Sequence, residues 1–210
     1  MNEQAISAIT DFMASRSEKA YKKGTDDYEI LRYGVAVLYY FVVKTLLLIV
    51  VSFFLGILSY ALAFMAVFGG LRRFGKGLHF KSNAVCTAVG FANYIIGIFL
   101  AIYLKIGLLP TIIIYILCFV INCVYAPSPT ENSPIKESDR LPLKIKTLVV
   151  MAVLFVIMLF VGERAGANLG VNLGVNSEAS IYRNIILIAT TTHTVYVLPL
   201  TYKIFGERRE

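Results

Sequence analysis

VAVLYYFVVKTLLLIVVSFFLGILSYALAFMAVFGG, residues 35–70, is an almost unbroken apolar run. At about 1.5 Å per residue it is far too long for one helical crossing of a ~30 Å hydrocarbon core, and just long enough for two short ones. Ser52 and the stretch Gly56-Ile57-Leu58-Ser59 hold its only turn chemistry. Lipid offers no partner for backbone N–H and C=O groups, so helices are the expected spanning element. A spanning β-barrel would instead alternate in segments of about 10 residues. The run therefore predicts an all-α, polytopic integral membrane protein.

Further apolar runs follow near 84–104 and 108–124, separated by Lys105-Ile106-Gly107. After a polar linker at 125–144 with Pro127, Pro129, Pro134 and Pro142, a fifth span is expected at 145–162. A Gly/Asn-rich loop at 163–183 holds a short repeat, Leu169-Gly-Val-Asn then Leu173-Gly-Val-Asn, and the last span is expected at about 184–202. Upstream, residues 1–34 are polar. There Ile6, Ile9, Phe12 and Met13 recur at helical spacing, which suits an interfacial amphipathic helix or a soluble cap on the bundle. The organisation expected is thus a 1–34 cytoplasmic or interfacial segment and a 35–204 membrane domain with cytoplasmic loops at 71–82 and 125–144.

Most of the 20 Lys+Arg fall in the N-terminal segment, the 71–82 segment, the 125–146 region and the C-terminal tail. Lys105, Arg164 and Arg183 lie on the other side. Cytoplasmic loops collect Lys and Arg, and both flanks of residues 35–70 are basic, so that run must cross an even number of times. Six spans with both termini cytoplasmic satisfy every segment.

The chain has 210 residues, 58% hydrophobic and 16% charged, with a net charge of +7. A soluble domain would be about 25% charged. No soluble basic domain is left over for nucleic acid, so lipid headgroups or an acidic peptide are the better partners. The N-terminus Met1-Asn2-Glu3-Gln4 lacks the basic start and adjoining apolar core of a cleavable signal. Cys86, Cys118 and Cys123 are odd in number and lack framework spacing, which argues against a disulfide scaffold. Cys118 and Cys123 read as small hydrophobes within a span.

Cys86 differs. It stands seven residues after His79, next to Arg72, Arg73, Lys76 and Lys81. A cysteine protease needs thiolate and imidazole side by side, whereas residues seven apart in one helix are separated by about 10.5 Å along the axis. Contact requires a bend, and Ser82 or Asn83 supplies one as N-cap of the third span. His79 then falls in a loop with Gly75 and Gly77, and Cys86 on the first helical turn. The positive end of that helix and the nearby cations would stabilise a thiolate. On spacing alone H-x6-C is a weak signal, and a buried Cys86 with an interfacial His79 is the bland alternative.

The stretch Arg72-Arg73-Phe74-Gly75-Lys76-Gly77-Leu78-His79-Phe80-Lys81-Ser82-Asn83-Ala84-Val85-Cys86 resembles the core motif of the AgrB family, the accessory gene regulator protein B of quorum-sensing systems. Tyr125-Ala126-Pro127 and Glu131-Asn132-Ser133-Pro134-Ile135-Lys136 are similar to a second family segment. The resemblance covers essentially the whole chain, in the same order.

It implies a bacterial, multi-pass cytoplasmic-membrane cysteine endopeptidase without metal or cofactor. The implied substrate is a small precursor peptide with an amphipathic leader and an acidic C-terminal tail. Cys86 would be the nucleophile and His79 general base, then general acid. An acyl-enzyme thioester would be captured by the peptide's own Cys or Ser, closing a thiolactone or lactone. Arg72 and Gly77 match positions needed for activity. Arg73, Lys76, Lys81, Lys136 and Arg140 are the candidates for binding the acidic peptide. A homodimer is compatible with the resemblance, and the third catalytic residue has no candidate. The rival class is a non-enzymatic transporter or exporter component, which would not depend on the Cys86 thiol. A zinc protease is disfavoured, since H-E-x-x-H does not occur and only 2 histidines are present.

Two other residues stand out. His193, mid-span in Thr190-Thr-Thr-His-Thr194, reads as a neutral imidazole hydrogen-bonded to neighbouring Thr or to another helix. Lys44 within the first span either snorkels or pairs with an acid. Glu163 and Arg164 read as a solvated interfacial pair.

Overall fold

The computed structural model describes residues 2–17, 21–78, 80, 82–130, 135–167 and 178–205. Among the described residues the chain is helical, with one isolated backbone bridge and no strand. It divides into two compact units, Met1–Leu55 and Gly56–Glu210.

The first unit holds α1 (Asn2–Arg16) and α2 (Asp26–Phe54). Thr25 caps α2 by accepting from the Tyr28 N–H at 3.4 Å, and Asp26, Asp27 and Glu29 lie at its positive end. Those starting signals precede the apolar run, so α2 begins at Asp26 rather than at 35. Ile6 and Thr10 are buried, whereas Ile9, Phe12 and Met13 stay exposed on α1. Polar contacts join the two helices: Arg32 to Glu3 at 2.7 Å, and Lys23 and Tyr28 to Asp11 at 2.8 and 2.7 Å. Lys44 lies over the Tyr40 ring at 5.8 Å.

The second unit contains α3 (Leu58–Gly75), α4 (Asn83–Tyr103), α5 (Leu108–Tyr125), α6 (Glu137–Ala167), α7 (Glu178–Val197) and α8 (Pro199–Ile204). The long run does break at Gly56, whose φ is 69°. Helix α7 is the central element, packed by α3, α4, α5 and α6. Its position explains its composition. Helices α2, α4, α5 and α6 are long and apolar enough to cross a membrane. In contrast α7 buries Arg183, Asn184, Thr190, His193 and Thr194 against protein rather than presenting them to lipid.

Two boundaries differ from expectation. The last span ends at Val197, not near 202, because Pro199 cannot continue a helix and instead occupies the first position of α8. Helix α6 starts at Glu137, inside the expected 125–144 loop. Pro142 falls in its second turn and has no N–H to donate to the Ser138 carbonyl. The Leu169–Asn176 repeat, Glu131 and the side chains of Glu163 and Arg164 lie outside the described residues.

The helix ends of this unit gather in two sets. At one, Asn184 donates to the Ala101 and Leu104 carbonyls at 3.1 and 2.7 Å, and Arg183 to Ile106 at 2.6 Å. At the other lie the end of α3, the end of α5 and the end of α7.

Candidate functional site

That second set of ends is built around the segment leaving α3. Lys76 has φ 58° and Gly77 has φ 110°, so the backbone reverses abruptly. The segment crosses the chain after α5: Ser128 N–H donates to the Gly75 carbonyl at 3.1 Å, and Gly77 N–H to the Ser128 carbonyl at 3.0 Å. Leu78 N–H then donates to the Tyr196 carbonyl near the end of α7, at 2.9 Å. The Tyr202 hydroxyl secures the same crossing by donating to the Ser128 carbonyl at 3.2 Å. Gly77 is required here. A Cβ would sit 2.9 Å from both Arg72 Nη1 and the Tyr196 oxygen, in a region of φ that L side chains avoid.

Arg72 occupies the concave side of this turn. It donates to the Lys76 carbonyl at 3.4 Å and to the Leu78 carbonyl, and its guanidinium lies 5.1 Å from the Tyr196 ring centroid. Among the described residues no carboxylate forms an ion pair with it. A cation at a membrane boundary with no acidic partner is costly unless an anion is supplied.

Cys86 is half-buried on the first turn of α4. Ser82 caps that helix, accepting from Val85 N–H at 3.4 Å while its carbonyl accepts from Cys86 N–H at 2.9 Å. The break foreseen between positions 79 and 86 is therefore present, with α3 ending at Gly75 and α4 starting at Asn83. His79 and Lys81 themselves lie outside the described residues. Their neighbours are anchored, Leu78 on Tyr196 and Phe80 edge-on to the Phe205 ring at 5.1 Å.

The remaining basic candidates scatter. Arg73 and Lys136 are exposed, and Lys76 is half-buried on the turn. Arg140 lines a cleft of about 420 Å³ with Tyr125, Pro127, Glu137 and Lys144, between the end of α5 and the start of α6. No cluster of three His, Cys, Asp or Glu side chains suited to a metal exists among the described residues. Cys118 is buried beside the Thr191 hydroxyl at 3.6 Å.

His193 corrects the sequence expectation. Its ring is fully buried, yet neither nitrogen has a hydrogen-bond partner among the described residues. The neighbouring threonines are committed elsewhere: Thr191, Thr192 and Thr194 each donate back to the carbonyl four residues earlier, at 2.8 Å. Ser128 and Tyr196 were invisible as site residues in the sequence. Ser128 follows the Tyr125-Ala-Pro motif, which pointed nearby, whereas Tyr196, which contributes its carbonyl to Leu78 and its ring to Arg72, lies far away in sequence and gave no signal.

The family model of Accessory gene regulator B matches residues 6–197. The chain is 25% identical over 179 residues to an AgrB-like protein of Clostridium acetobutylicum, covering 85% of this chain and 78% of that one. It is also 25% identical over 158 residues to accessory gene regulator protein B of Staphylococcus saprophyticus, 75% of this chain and 84% of the relative. An AgrB-like protein of Clostridium perfringens is 30% identical over 149 residues, with 63% and 68% covered. No solved structure matches.

Proposed function

The chain belongs to the accessory gene regulator B family, and from that premise we propose that it is a membrane-embedded cysteine endopeptidase acting on a quorum-sensing peptide precursor. The observation that carries the reading is the Arg72 guanidinium. It is fixed by two backbone carbonyls and an aromatic face and has no carboxylate partner among the described residues, and Cys86 stands on the first turn of the helix that follows the turn it fills. A thiolate at the positive end of α4 is the counter-charge that such a site accommodates.

In this mechanism the Cys86 Sγ attacks the carbonyl carbon joining the signal sequence to its acidic tail. The C–N bond breaks, and the departing amine takes a proton from the His79 imidazolium, which had accepted the thiol proton. The thioester left on Cys86 is then attacked by a thiol or hydroxyl within the peptide, whose proton passes to the now neutral His79 imidazole. That closes the ring and returns Cys86 as thiolate. Arg140 and Lys144, which line a cleft with Glu137 between α5 and α6, support the attraction of an acidic tail.

The membrane arrangement belongs to the same proposal. Helices α2 to α7 are the six spans, with α7 surrounded by α3 to α6, and both termini lie with the basic ends on the cytoplasmic side.

The test is co-expression of Cys86→Ala and Cys86→Ser variants with the small peptide encoded beside the gene. Both are expected to leave the precursor uncleaved. Normal processing in both would end the peptidase reading and favour a transporter component, which has no use for the thiol.

A further inference from the structure

His193 is the buried group that the mechanism above leaves unused. Its imidazole packs on the α carbon of Gly75 so closely that a Cβ there would collide with the ring, and it would also meet the Thr147 methyl at 3.3 Å. Gly75 is the residue whose carbonyl receives Ser128 and whose successors wrap around Arg72. Around the same crossing, further buried atoms have no partner among the described residues: Ser128 Oγ, Thr130 Oγ1 and Asn122 Oδ1. Asn122 donates its amide to Thr194, next to His193 in the chain, at 2.8 Å. A buried imidazole with both nitrogens unmatched is rarely retained where an aliphatic side chain would fill the space.

We propose that His193 is a positioning residue for the site: wedged against Gly75, it fixes the Gly75–Leu78 turn and with it the Arg72 guanidinium that the turn wraps. The proposal rests on reading Cys86 as the nucleophile, but it concerns the turn and not the peptide. Gly75 and Gly77 then have separate reasons to be glycine, one facing the ring of His193 and the other facing Arg72 and Tyr196. Small residues let the two elements approach, and the imidazole fills what they leave.

The experiment uses the full chain with Cys118 and Cys123 replaced by Ala, so that Cys86 alone reacts. Alkylation rates with anionic iodoacetate and neutral iodoacetamide are compared. Their ratio reports the positive charge at the thiol and needs no peptide. The Arg72→Gln variant sets the low limit of the ratio. His193→Leu is expected to lower the ratio about threefold or more toward that limit. His193→Asn, which keeps a planar polar group against Gly75, should lower it less. A merely structural role would reduce thermal stability and leave the ratio alone. An unchanged ratio in a folded His193→Leu overturns the proposal. If that variant does not fold, His193→Asn decides: a lowered ratio supports the proposal and an unchanged one overturns it. A ratio equal in Arg72→Gln and the parent also overturns it, by removing Arg72 from the thiol. Because no peptide is present, failure here is separable from cleavage that survives Cys86→Ala.

Discussion

The Leu78 N–H donates to the Tyr196 carbonyl at 2.9 Å, tying the turn after α3 to the last turn of α7. This single backbone bond joins two ends of the bundle immediately before position 79. It also leaves no room for a side chain at Gly77, since a Cβ would lie 2.9 Å from that same Tyr196 oxygen. Gly77→Ala is therefore expected to abolish processing. A forced positive φ costs about 1–2 kcal/mol, and relieving the clash means breaking the Leu78 bond. The variant should still insert and remain helical, because the core residues of α3 and α7 are untouched. Peptide cleavage measured alongside circular dichroism checks this, and full activity in the alanine variant would contradict the close approach.

Arg72 offers a sharper comparison. Lysine keeps the charge but loses the planar fork that reaches the Lys76 and Leu78 carbonyls while lying over Tyr196. Charge-assisted bonds are worth about 1.5–3 kcal/mol, so Arg72→Lys should slow cleavage by roughly 10- to 100-fold. Arg72→Gln, lacking both charge and fork, should fall further. Equal activity of the lysine variant and the parent would mean that only charge matters there.

Asp11 and Lys23 provide the pH-dependent contact. The hydrogen bond from Lys23, then that from Tyr28, holds the Asp11 carboxyl below its usual value of 3.8, and the same contact raises Lys23. A depressed carboxylate contributes above its unfolded value and loses that contribution as pH falls through the folded one. Protection of the α1 amides, measured as exchange relative to the intrinsic rate at each pH, should therefore fall below about pH 4, and Asp11→Asn should remove that dependence. Both groups are exposed, so added salt should weaken the effect. A pH response that persists in Asp11→Asn would assign it elsewhere.

Much of this fold is legible in the sequence because each signal is local. Gly56 inside an apolar run gives the break between α2 and α3, and Ser82 gives the start of α4 with Cys86 on its first turn. Pro199 was equally readable as a helix stop, but the apolar pattern running past it hides the break. The site is less legible. Tyr196 and Ser128 contribute backbone carbonyls, which carry no residue-type signature, and they reach Gly77 and Leu78 only through tertiary contact. His193 misled because four threonines around it suggest hydroxyl partners, while three of those hydroxyls turn back to their own helix.

The six-span arrangement can be tested from the two sets of helix ends. Lys105 stands at the turn between α4 and α5, where Leu104 and Ile106 accept bonds from Asn184 and Arg183. Arg73 is exposed at the end of α3, on the same set of ends as the turn that meets Tyr196. With α4 a crossing helix between them, cysteines placed at these positions should face opposite compartments. In a background without the native cysteines, an impermeant maleimide should label Lys105→Cys in intact cells. Arg73→Cys should react only after the membrane is opened. Position 73 also reports on α3, whose Arg72 and Arg73 make it less apolar than its neighbours. If α3 did not cross while α2 did, residue 73 would lie on the outer side and label without permeabilisation. That pattern would exclude both the six-span arrangement and a cytoplasmic Cys86.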